Sequence, residues 1–415
     1  MKKCTKPNSF EETLSIKIFT HSVNINSCSH CLLCIFFICT MLFVLGCGKE
    51  DEPLYVNISQ SAGASHTPAI AVGNNDELYV VWADSTPGNL EIFFSETTNN
   101  GMWSQGINIS NNTSISACPF IDVDNLGNIH ICWWDLESDS YDSKISYRMR
   151  SATNSWANIE ILAFSSAPDS AHELPRIICD KDNNVYVMWT CRGELRYKIK
   201  SSTGIWSEIM VVPYAPTSNP AELATDLQGN LHLTWEGGNN DILYQMRIPD
   251  GTWQNLATIT QGVSSPLIPD ITVDNTGIVY ITWTARDNDL NRYVYYSDNK
   301  AGNWAEPEKL PMQDIDDQGW YSTITSENGG TVHFIWENWT QDTAGNYGNA
   351  DIYYAKKYSD NIWSEVHNIS NTAGKSICDA GSIADDIFGN IHIVWADNDL
   401  GNFEVFYLKI PVDSL

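Results

Sequence analysis

The stretch Asn128-Ile129-His130-Ile131-Cys132-Trp133 has the pattern of a short β-strand that ends in tryptophan. Successive tryptophans that end such stretches are 46 to 59 residues apart along the chain. A repeat of about 50 residues built from short strands is typical of β-propeller blades. The sequence therefore predicts seven blades, one for each strand-ending tryptophan: Trp82, Trp133, Trp189, Trp235, Trp283, Trp336 and Trp395.

Each repeat contains the signals of four strands. In the second repeat, a first strand at Pro119–Val123 leads into the turn Asp124–Asn128, whose Gly and Asn residues favour positive φ. The strand ending at Trp133 follows, and then a third strand at Ile145–Arg150. A second tryptophan, Trp156, opens the fourth strand. The pattern predicts an all-β fold with four-stranded antiparallel blades.

The last repeat stops after its third strand, so it has no second tryptophan of its own. The other six repeats have one, at Trp103, Trp156, Trp206, Trp253, Trp304 and Trp363. Near the start of the chain, Tyr55–Ser59 resembles the fourth strands Ile107–Ser110 and His367–Ser370. We therefore predict that this N-terminal strand completes the last blade, which gives 28 strands in a closed ring over residues 54–415.

The N-terminal region predicts export. Residues 31–45 are apolar, as in a signal peptide, and are fewer than the roughly 20 that a spanning helix needs. Val44-Leu45-Gly46-Cys47 resembles a bacterial lipobox, which implies a signal peptide at 1–46, acylation of Cys47 and a tether at 47–53. Lys49 followed by acidic residues resembles the surface-export signal of Bacteroidetes lipoproteins. We expect an outer-membrane lipoprotein on the cell surface or the periplasmic side, with the bilayer as a partner through Cys47.

Charge and cysteine content narrow the classes of partner. The net charge of −28 disfavours binding to nucleic acid, and it suits solubility as a monomer outside the cell. Five cysteines beyond Cys47 do not form an even disulfide framework. We expect no cofactor, although the loop carboxylates leave a Ca²⁺ site open as an alternative. His130, His232, His333 and His392 share one repeat position with tyrosines, which favours packing between blades over metal binding.

The turn before the second tryptophan carries a family resemblance. Ser297–Trp304 is similar to the Asp boxes, or BNR repeats, of sialidase-like propellers, and the other repeats contain more degenerate copies. The resemblance covers roughly residues 54–415. It implies the propeller fold more strongly than it implies a function, because many non-enzymes share this repeat.

Three tryptophans have no place in the repeat: Trp134, Trp320 and Trp339. They lie near connections that leave the ring on one face, where an unpacked aromatic ring can stack on a sugar or can cap the core. Asp135 shares its offset with Asp84 and Asp397, which also suggests that it caps a hairpin. The predicted ligand-binding residues are Trp134, Asp135, Trp320, Tyr321, Glu337 and Trp339.

The resemblance to sialidases also implies a catalytic alternative, with an arginine triad and a Tyr–Glu nucleophile pair. The candidates are Arg176, Arg192, Arg286 and Arg292 for the triad, and Tyr321 with Glu173 for the pair. Leu174-Pro175-Arg176-Ile177 departs from the family's Phe/Tyr-Arg-Ile-Pro motif, and sialidases usually have six blades. Our first hypothesis is therefore a non-catalytic module that binds a glycan or a protein. The alternatives are a divergent sialidase-like hydrolase or polysaccharide lyase, and a structural scaffold. Convergence of the arginines in one pocket would favour an enzyme.

Overall fold

The computed structural model describes residues 55–411 and 414, apart from 99, 138–139, 141, 167–171, 218, 261–262, 288–290, 313–317 and 342–346. Within these residues the chain forms 29 β-strands. The described part contains no helix that is long and apolar enough to cross a membrane. The predicted signal peptide, Cys47 and the tether lie outside the described residues.

The strands form seven antiparallel sheets, and the first three follow the chain directly. Blade 1 contains β2 (Ser65–Val72), β3 (Leu78–Asp84), β4 (Glu91–Glu96) and β5 (Ile107–Asn108). Blade 2 contains β6 (Ile115–Val123), β7 (Ile129–Leu136), β8 (Ser143–Arg150) and β9 (Glu160–Ser165). Blade 3 contains β10 (His172–Cys179), β11 (Val185–Cys191), β12 (Glu194–Lys200) and β13 (Met210–Pro216).

The remaining four blades complete the ring. Blade 4 contains β14 (Glu222–Thr225), β15 (Leu231–Gly237), β16 (Asp241–Arg247) and β17 (Ala257–Thr258). Blade 5 contains β18 (Ser264–Val273), β19 (Val279–Arg286), β20 (Arg292–Asp298) and β21 (Glu308–Lys309). Blade 6 contains β22 (Gln318–Ser326), β23 (Val332–Gln341), β24 (Tyr347–Lys357) and β25 (His367–Asn368). Blade 7 contains β26 (Ser376–Ile377), β27 (Ile383–Asp385), β28 (Ile391–Asp397), β29 (Glu404–Ile410) and β1 (Val56–Asn57).

The repeated tryptophans explain why the blades stack at a constant period. All seven strand-ending tryptophans are at most 1% exposed. The second tryptophan of a blade packs edge-on against a third-strand aromatic ring of the blade before it, as in Trp156 on Phe94 at 5.1 Å and Trp206 on Tyr147 at 5.0 Å. Burial of such large rings is a major source of stability in a fold that has no single central core.

The repeated histidines make their hydrogen bonds within their own blades, whereas the sequence suggested packing between blades. His130 Nδ1 lies 2.7 Å from Tyr147 Oη, and its Nε2 lies 3.2 Å from Asp124 Oδ2 in the preceding turn. His392 makes the same two contacts with Tyr407 and Asp386. Tyr280 occupies the equivalent position in blade 5 and donates directly to Asp274 at 2.9 Å. The imidazoles and phenols therefore fill one structural role, which is to join the first turn to the sheet.

The N-terminal strand closes the ring, as predicted. Val56 pairs with Tyr407 and Asn57 with Phe406, in antiparallel register. The Ile58 amide donates to the carbonyl of Val405 at 2.8 Å. The prediction of 28 strands differs from the observed 29 because the first strand of blade 7 is interrupted between Ile377 and Ile383. Gly381 has φ +80° in that interruption, a conformation that favours glycine.

The strand order gives the ring two distinct faces. In every blade, the turns between strands one and two and between strands three and four lie at the same end, which we call the turn face. The connections from the second strand to the third, and from the fourth to the next blade, lie at the opposite end, the loop face. Because β1 is a fourth strand, the described chain enters the ring from the turn face.

Candidate functional site

The innermost strands bulge as they leave the loop face. Thr67, Cys118, Leu174, Ile268 and Tyr321 all have φ between +43° and +53° at equivalent points in their blades. The first four are each followed by proline. Non-glycine residues rarely adopt this conformation, so its repetition is a built-in feature of the ring. The bulges break the strand pairing near the mouth of the central channel.

A cavity of about 70 Å³ lies at this mouth. It has room for a few water-sized groups, such as a single carboxylate, and is too small for a sugar ring. Its walls come from blades 1, 2, 3 and 7, and consist of Thr67, Cys118, Pro119, Phe120, Leu174, Arg176, Asp379 and Ala380.

Arg176 is the cation of this cavity, and it is already paired. Its Nε donates to both carboxylate oxygens of Glu222 in the next blade, at 2.7 and 2.8 Å. The guanidinium also lies over the ring of Phe120, with Cζ 4.4 Å from the ring centroid. This buried ion pair joins blades 3 and 4 at the axis, so the charge of Arg176 is largely satisfied by the protein itself.

A second group of side chains lies on the loop face of blade 6. We call Trp320, Tyr321, Glu337 and Trp339 the aromatic site. The rings of Trp320 and Tyr321 stack with centroids 6.1 Å apart, and Tyr321 is 39% exposed. Trp339 Nε1 donates to Glu337 at 2.8 Å. Strands β23 and β24, with ten and eleven residues, are the longest second and third strands among the described blades, and β23 carries Trp339 beyond the strand-ending Trp336.

Two cations contact the rings of the aromatic site. Arg292 Cζ lies 3.9 Å from the ring centroid of Trp320, and Lys375 Nζ lies 4.4 Å from that of Trp339. Cation–π contacts of this kind fix the orientation of the indole rings. Sequence reasoning missed Lys375 as a site residue. The only indication in the sequence was that Lys375 comes just before the first strand of blade 7, which follows the blade that carries Trp320 and Trp339.

Buried carboxyl groups surround the axis and the aromatic site. Burial raises the pKa of Glu337 to about 8 and that of Asp270 to about 7. Burial also raises the pKa of Asp379, although the nearby Arg176 opposes this shift. Burial, together with the charges of Glu337 and Asp379, raises the pKa of the Tyr321 phenol. The site therefore holds its protons tightly, and Tyr321 is not activated as a nucleophile.

Trp134 and Asp135 lie in blade 2, apart from the aromatic site. Asp135 is 4% exposed and accepts hydrogen bonds from Ser116 Oγ at 2.6 Å and Trp133 Nε1 at 2.9 Å. Asp84 and Asp397 bind the serines at the start of their own blades in the same way. Asp135 therefore joins the first, second and third strands of blade 2, and we remove it from the candidate site. Trp134 packs against the core cluster shared by blades 2 and 3.

The predicted arginine triad is spread over different places. Arg176 lines the axial cavity, and Arg292 lies over Trp320. Arg192 is exposed at the tip of the two-residue hairpin between β11 and β12, and Arg286 ends β19. The acids whose charges act on Tyr321 are Glu337 and Asp379, whereas the predicted partner Glu173 lies on β10 of blade 3. No cavity described here contains more than one of the four arginines.

A larger groove of about 760 Å³ runs along the rim where blade 7 meets blade 1. Residues 56–62 form one wall, and Phe93, Met102 and Trp103 contribute to the other. In blade 2, Arg148 reaches across the equivalent space and donates to the carbonyl of Ile109 at 2.6 Å. Ser95 takes the place of Arg148 in blade 1.

The described residues contain no group of three or more His, Cys, Asp or Glu side chains placed to hold a metal ion. The five cysteines of the ring are free thiols.

No protein-family model matches the sequence, and no curated protein matches it. Solved structures match the fold. An ulvan lyase of polysaccharide lyase family PL25 has a TM-score of 0.58 at 9% identity, over 87% of this chain and 96% of the lyase. An α-L-arabinofuranosidase from Fusarium graminearum has a TM-score of 0.52 at 11% identity, over 77% of this chain and 98% of that one. A sialidase from Streptococcus pneumoniae has a TM-score of 0.48 at 11% identity, over 91% and 73%. Identities this low show a shared propeller fold and no more.

Proposed function

We propose that the protein binds a glycan at the aromatic site, without catalysis. The observation that carries the proposal is the stacked pair Trp320 and Tyr321, with Tyr321 exposed on the loop face. Pyranose rings stack on such aromatic faces, while nearby polar groups fix their orientation.

The geometry favours binding over turnover. A retaining sialidase-like reaction needs an activated tyrosine and a free arginine cluster. Here the pKa of Tyr321 is raised, and Arg176 is bound by Glu222. The likeness to glycan-active enzymes lies in the fold, so it is compatible both with glycan binding and with catalysis. A glycan-active enzyme is the second hypothesis, and the same experiment tests it.

The proposed location is the outer membrane, through acylation of Cys47. The sequence Val44–Cys47 supports this, as does the entry of the described chain at the turn face, opposite the aromatic site. We expect Cys47→Ala to abolish incorporation of labelled palmitate and to release the protein from membranes. Unchanged labelling of that variant would contradict the proposal. Protease treatment of intact cells then distinguishes the cell surface from the periplasm.

The test of function is a glycan array that includes neutral and acidic glycans, probed with the purified protein and three variants. Trp320→Ala and Tyr321→Gly should reduce binding at least tenfold. Tyr321→Gly also relieves the positive φ, and an unchanged thermal melt of this variant separates loss of binding from unfolding. Met102→Ala, in the rim groove, is the matched control and should bind normally.

Three outcomes would overturn the proposal. Loss of binding in Met102→Ala with normal binding in Trp320→Ala would move the site to the rim groove. Turnover of a sialoside or a uronate polymer, abolished by Arg176→Ala, would replace binding with catalysis. If the wild-type protein bound no glycan at all, the loop face would be assigned to a protein ligand.

A further inference from the structure

The outer strands of blades 2 and 3 differ from those of the other blades. β9 has six residues and β13 has seven, whereas the outermost strand of each of the other five blades has two. Blades 2 and 3 are neighbours, so both long strands lie in the same sector of the rim. The rim is distinct from the aromatic site, and this inference does not rest on the proposed function.

These two strands expose apolar side chains at matching positions. The exposed residues are the third, fifth and eighth after the second tryptophan of each blade, and they are between 37 and 82% exposed. We call them the rim patch: Ile159, Ile161, Phe164, Ile209, Val211 and Tyr214. Summed over the two strands, the six side chains expose roughly 600 Å², of which each strand contributes roughly half. The recurrence of these residues in two blades sets them apart from single exposed apolar residues.

The backbone of β13 favours contact through side chains over the addition of a further strand. Pro213 lies within β13 and has no N–H to donate, which blunts its free edge. Between the pairs Glu194–Pro216 and Arg196–Val211 the strand bulges outward. In this bulge Tyr214 is held at φ +59° with its side chain 82% exposed. An exposed tyrosine in a strained conformation is a feature of contact surfaces.

Charge distinguishes the same sector of the ring. Residues 115–216, which form blades 2 and 3, contain 13 acidic and nine basic side chains, a net charge of −4. The remainder of residues 55–415 contains 33 acidic and nine basic side chains, a net charge of −24. Beside the patch, Glu160 is paired with Lys200 at 2.9 Å. Two copies of this acidic protein would therefore repel one another least through blades 2 and 3.

We propose that the rim patch binds the rim patch of a second copy, related by a two-fold axis. In such a pairing each patch contacts its own equivalent, so an apolar surface with neutralised charges is complementary to itself. The roughly 600 Å² from six side chains, with their surrounding backbone, approaches the roughly 800 Å² per partner of a standard interface. The dimer departs from the monomer expected from the sequence, and it leaves both loop faces free.

The test is sedimentation velocity of the purified protein between 1 and 100 μM. We expect a concentration-dependent dimer, and we expect the double variant Ile161→Glu, Val211→Glu to sediment as a monomer throughout. Ile107→Glu is the matched control, because Ile107 is a similarly exposed apolar residue on the outer strand of blade 1. This control should dimerise like the wild type. A wild-type protein that is monomeric at 100 μM, or a double variant that still dimerises, would overturn the proposal.

Tyr214→Gly provides a second, independent test of the proposed dimer. It removes the exposed ring and also relieves the positive φ, so folding is not impaired and dimerisation should weaken at least tenfold. Because the other blades carry most of the negative charge, raising NaCl from 50 to 500 mM should tighten the wild-type dimer. A dimer that weakens with salt would instead indicate an interface held by ion pairs at another place.

Discussion

At the scale of single residues, the loop face is unusual in how many carboxyl groups it buries. Glu337 is 1% exposed and accepts a hydrogen bond from the Cys378 amide at 3.2 Å as well as from Trp339. Asp270 accepts from Thr323 and from the Ile324 amide. These bonds need an acceptor only, so both carboxyls can keep their protons and still satisfy the donors around them.

The ring should lose stability as the pH rises from 6.5 to 8. Below this range, stability changes mainly in the opposite direction because of the lowered pKa values of His66, His172 and His392. The pKa of Glu337 is raised to about 8 from 4.5, and that of Asp270 to about 7 from 3.8, so between these limits the two carboxyls bind more protons in the folded state than in the unfolded state. Urea unfolding at pH 6.5 and 8 should show this decline. Glu337→Gln should flatten it, and Glu208→Gln, at an exposed carboxylate, should not. If the free energy of unfolding of Glu337→Gln depends on pH as steeply as that of the wild type, the raised pKa of Glu337 would be contradicted.

Gly381→Ala should destabilise the ring by about 1–3 kcal/mol. The substitution meets two obstacles, because the backbone has φ +80° and a Cβ would lie 3.0 Å from Phe120 Cζ at the axis. Gly401→Ala is the control, since that glycine has φ +105° with open space around it. Equal losses in the two variants, measured by urea denaturation, would show that the contact with Phe120 adds nothing.

At the scale of single elements, the end of the fourth strand is a repeated hydrogen-bonded unit. Ser110 Oγ donates to Glu91 and accepts from the Ile92 amide at 2.8 Å. Ser370 donates to Asp351 and accepts from the Ile352 amide in blade 6. Ser59 makes the same contacts with Glu404 and the Val405 amide in blade 7. One side chain thus fastens the fourth strand to the start of the third.

Ser110→Ala and Ser59→Ala should each destabilise the protein by about 1–3 kcal/mol, because each leaves a buried carboxylate and an amide without their partner. The two variants should differ in which strand of the ring they weaken. Ser110→Ala weakens a strand that is continuous with its blade, whereas Ser59→Ala weakens the strand that closes the ring. Hydrogen exchange should therefore show faster opening of Val405 in Ser59→Ala only. Equal exchange at Val405 in both variants would contradict this.

These elements show what the sequence could predict. The similarity of Tyr55–Ser59 to Ile107–Ser110 identified the closing strand. The serine that ends each segment donates to the glutamate at the start of the third strand. Trp320 and Trp339 became candidates because they fall outside the repeat, Tyr321 because it adjoins Trp320, and Glu337 because it follows the strand-ending Trp336. Asp135 was misassigned because its bonds to Ser116 and Ser146 join segments that are far apart in sequence. The Arg176–Glu222 pair depends on contact between blades, which repeat spacing does not specify.

At the scale of the whole molecule, the ring has seven similar inter-blade interfaces and one covalent discontinuity. Blade 7 is assembled from residues 376–410 and from β1, and Tyr55 packs edge-on against Trp395 at 5.7 Å and Phe406 at 5.5 Å. Two paired residues, Ser59, the ring of Tyr55 and the Ile58 amide bonded to Val405 are among the contacts that hold the seam. The other blades are each continuous in sequence.

A chain that begins at residue 61 should form an unsealed ring. Without β1, the outer edge of β29 loses its hydrogen-bonding partner and Trp395 loses the ring of Tyr55. Compared with a chain that begins at residue 53, we expect a fall in Tm of about 10 °C or more and concentration-dependent aggregation. Light scattering during a thermal ramp measures both. Coincident melting of the two chains would show that the strand is dispensable.

The contact between Ser59 and Val405 spans 346 positions of the chain. A ribosome must therefore synthesise the chain as far as β29 before β1 can meet its partner. Until then the early blades can stack on one another, but the circle stays open at both ends. Any product that is cut short before β29 is left with two unsatisfied sheet edges, and proteases can recognise it. Because β1 pairs with β29, the closed ring can form only in chains that have been translated to at least residue 407.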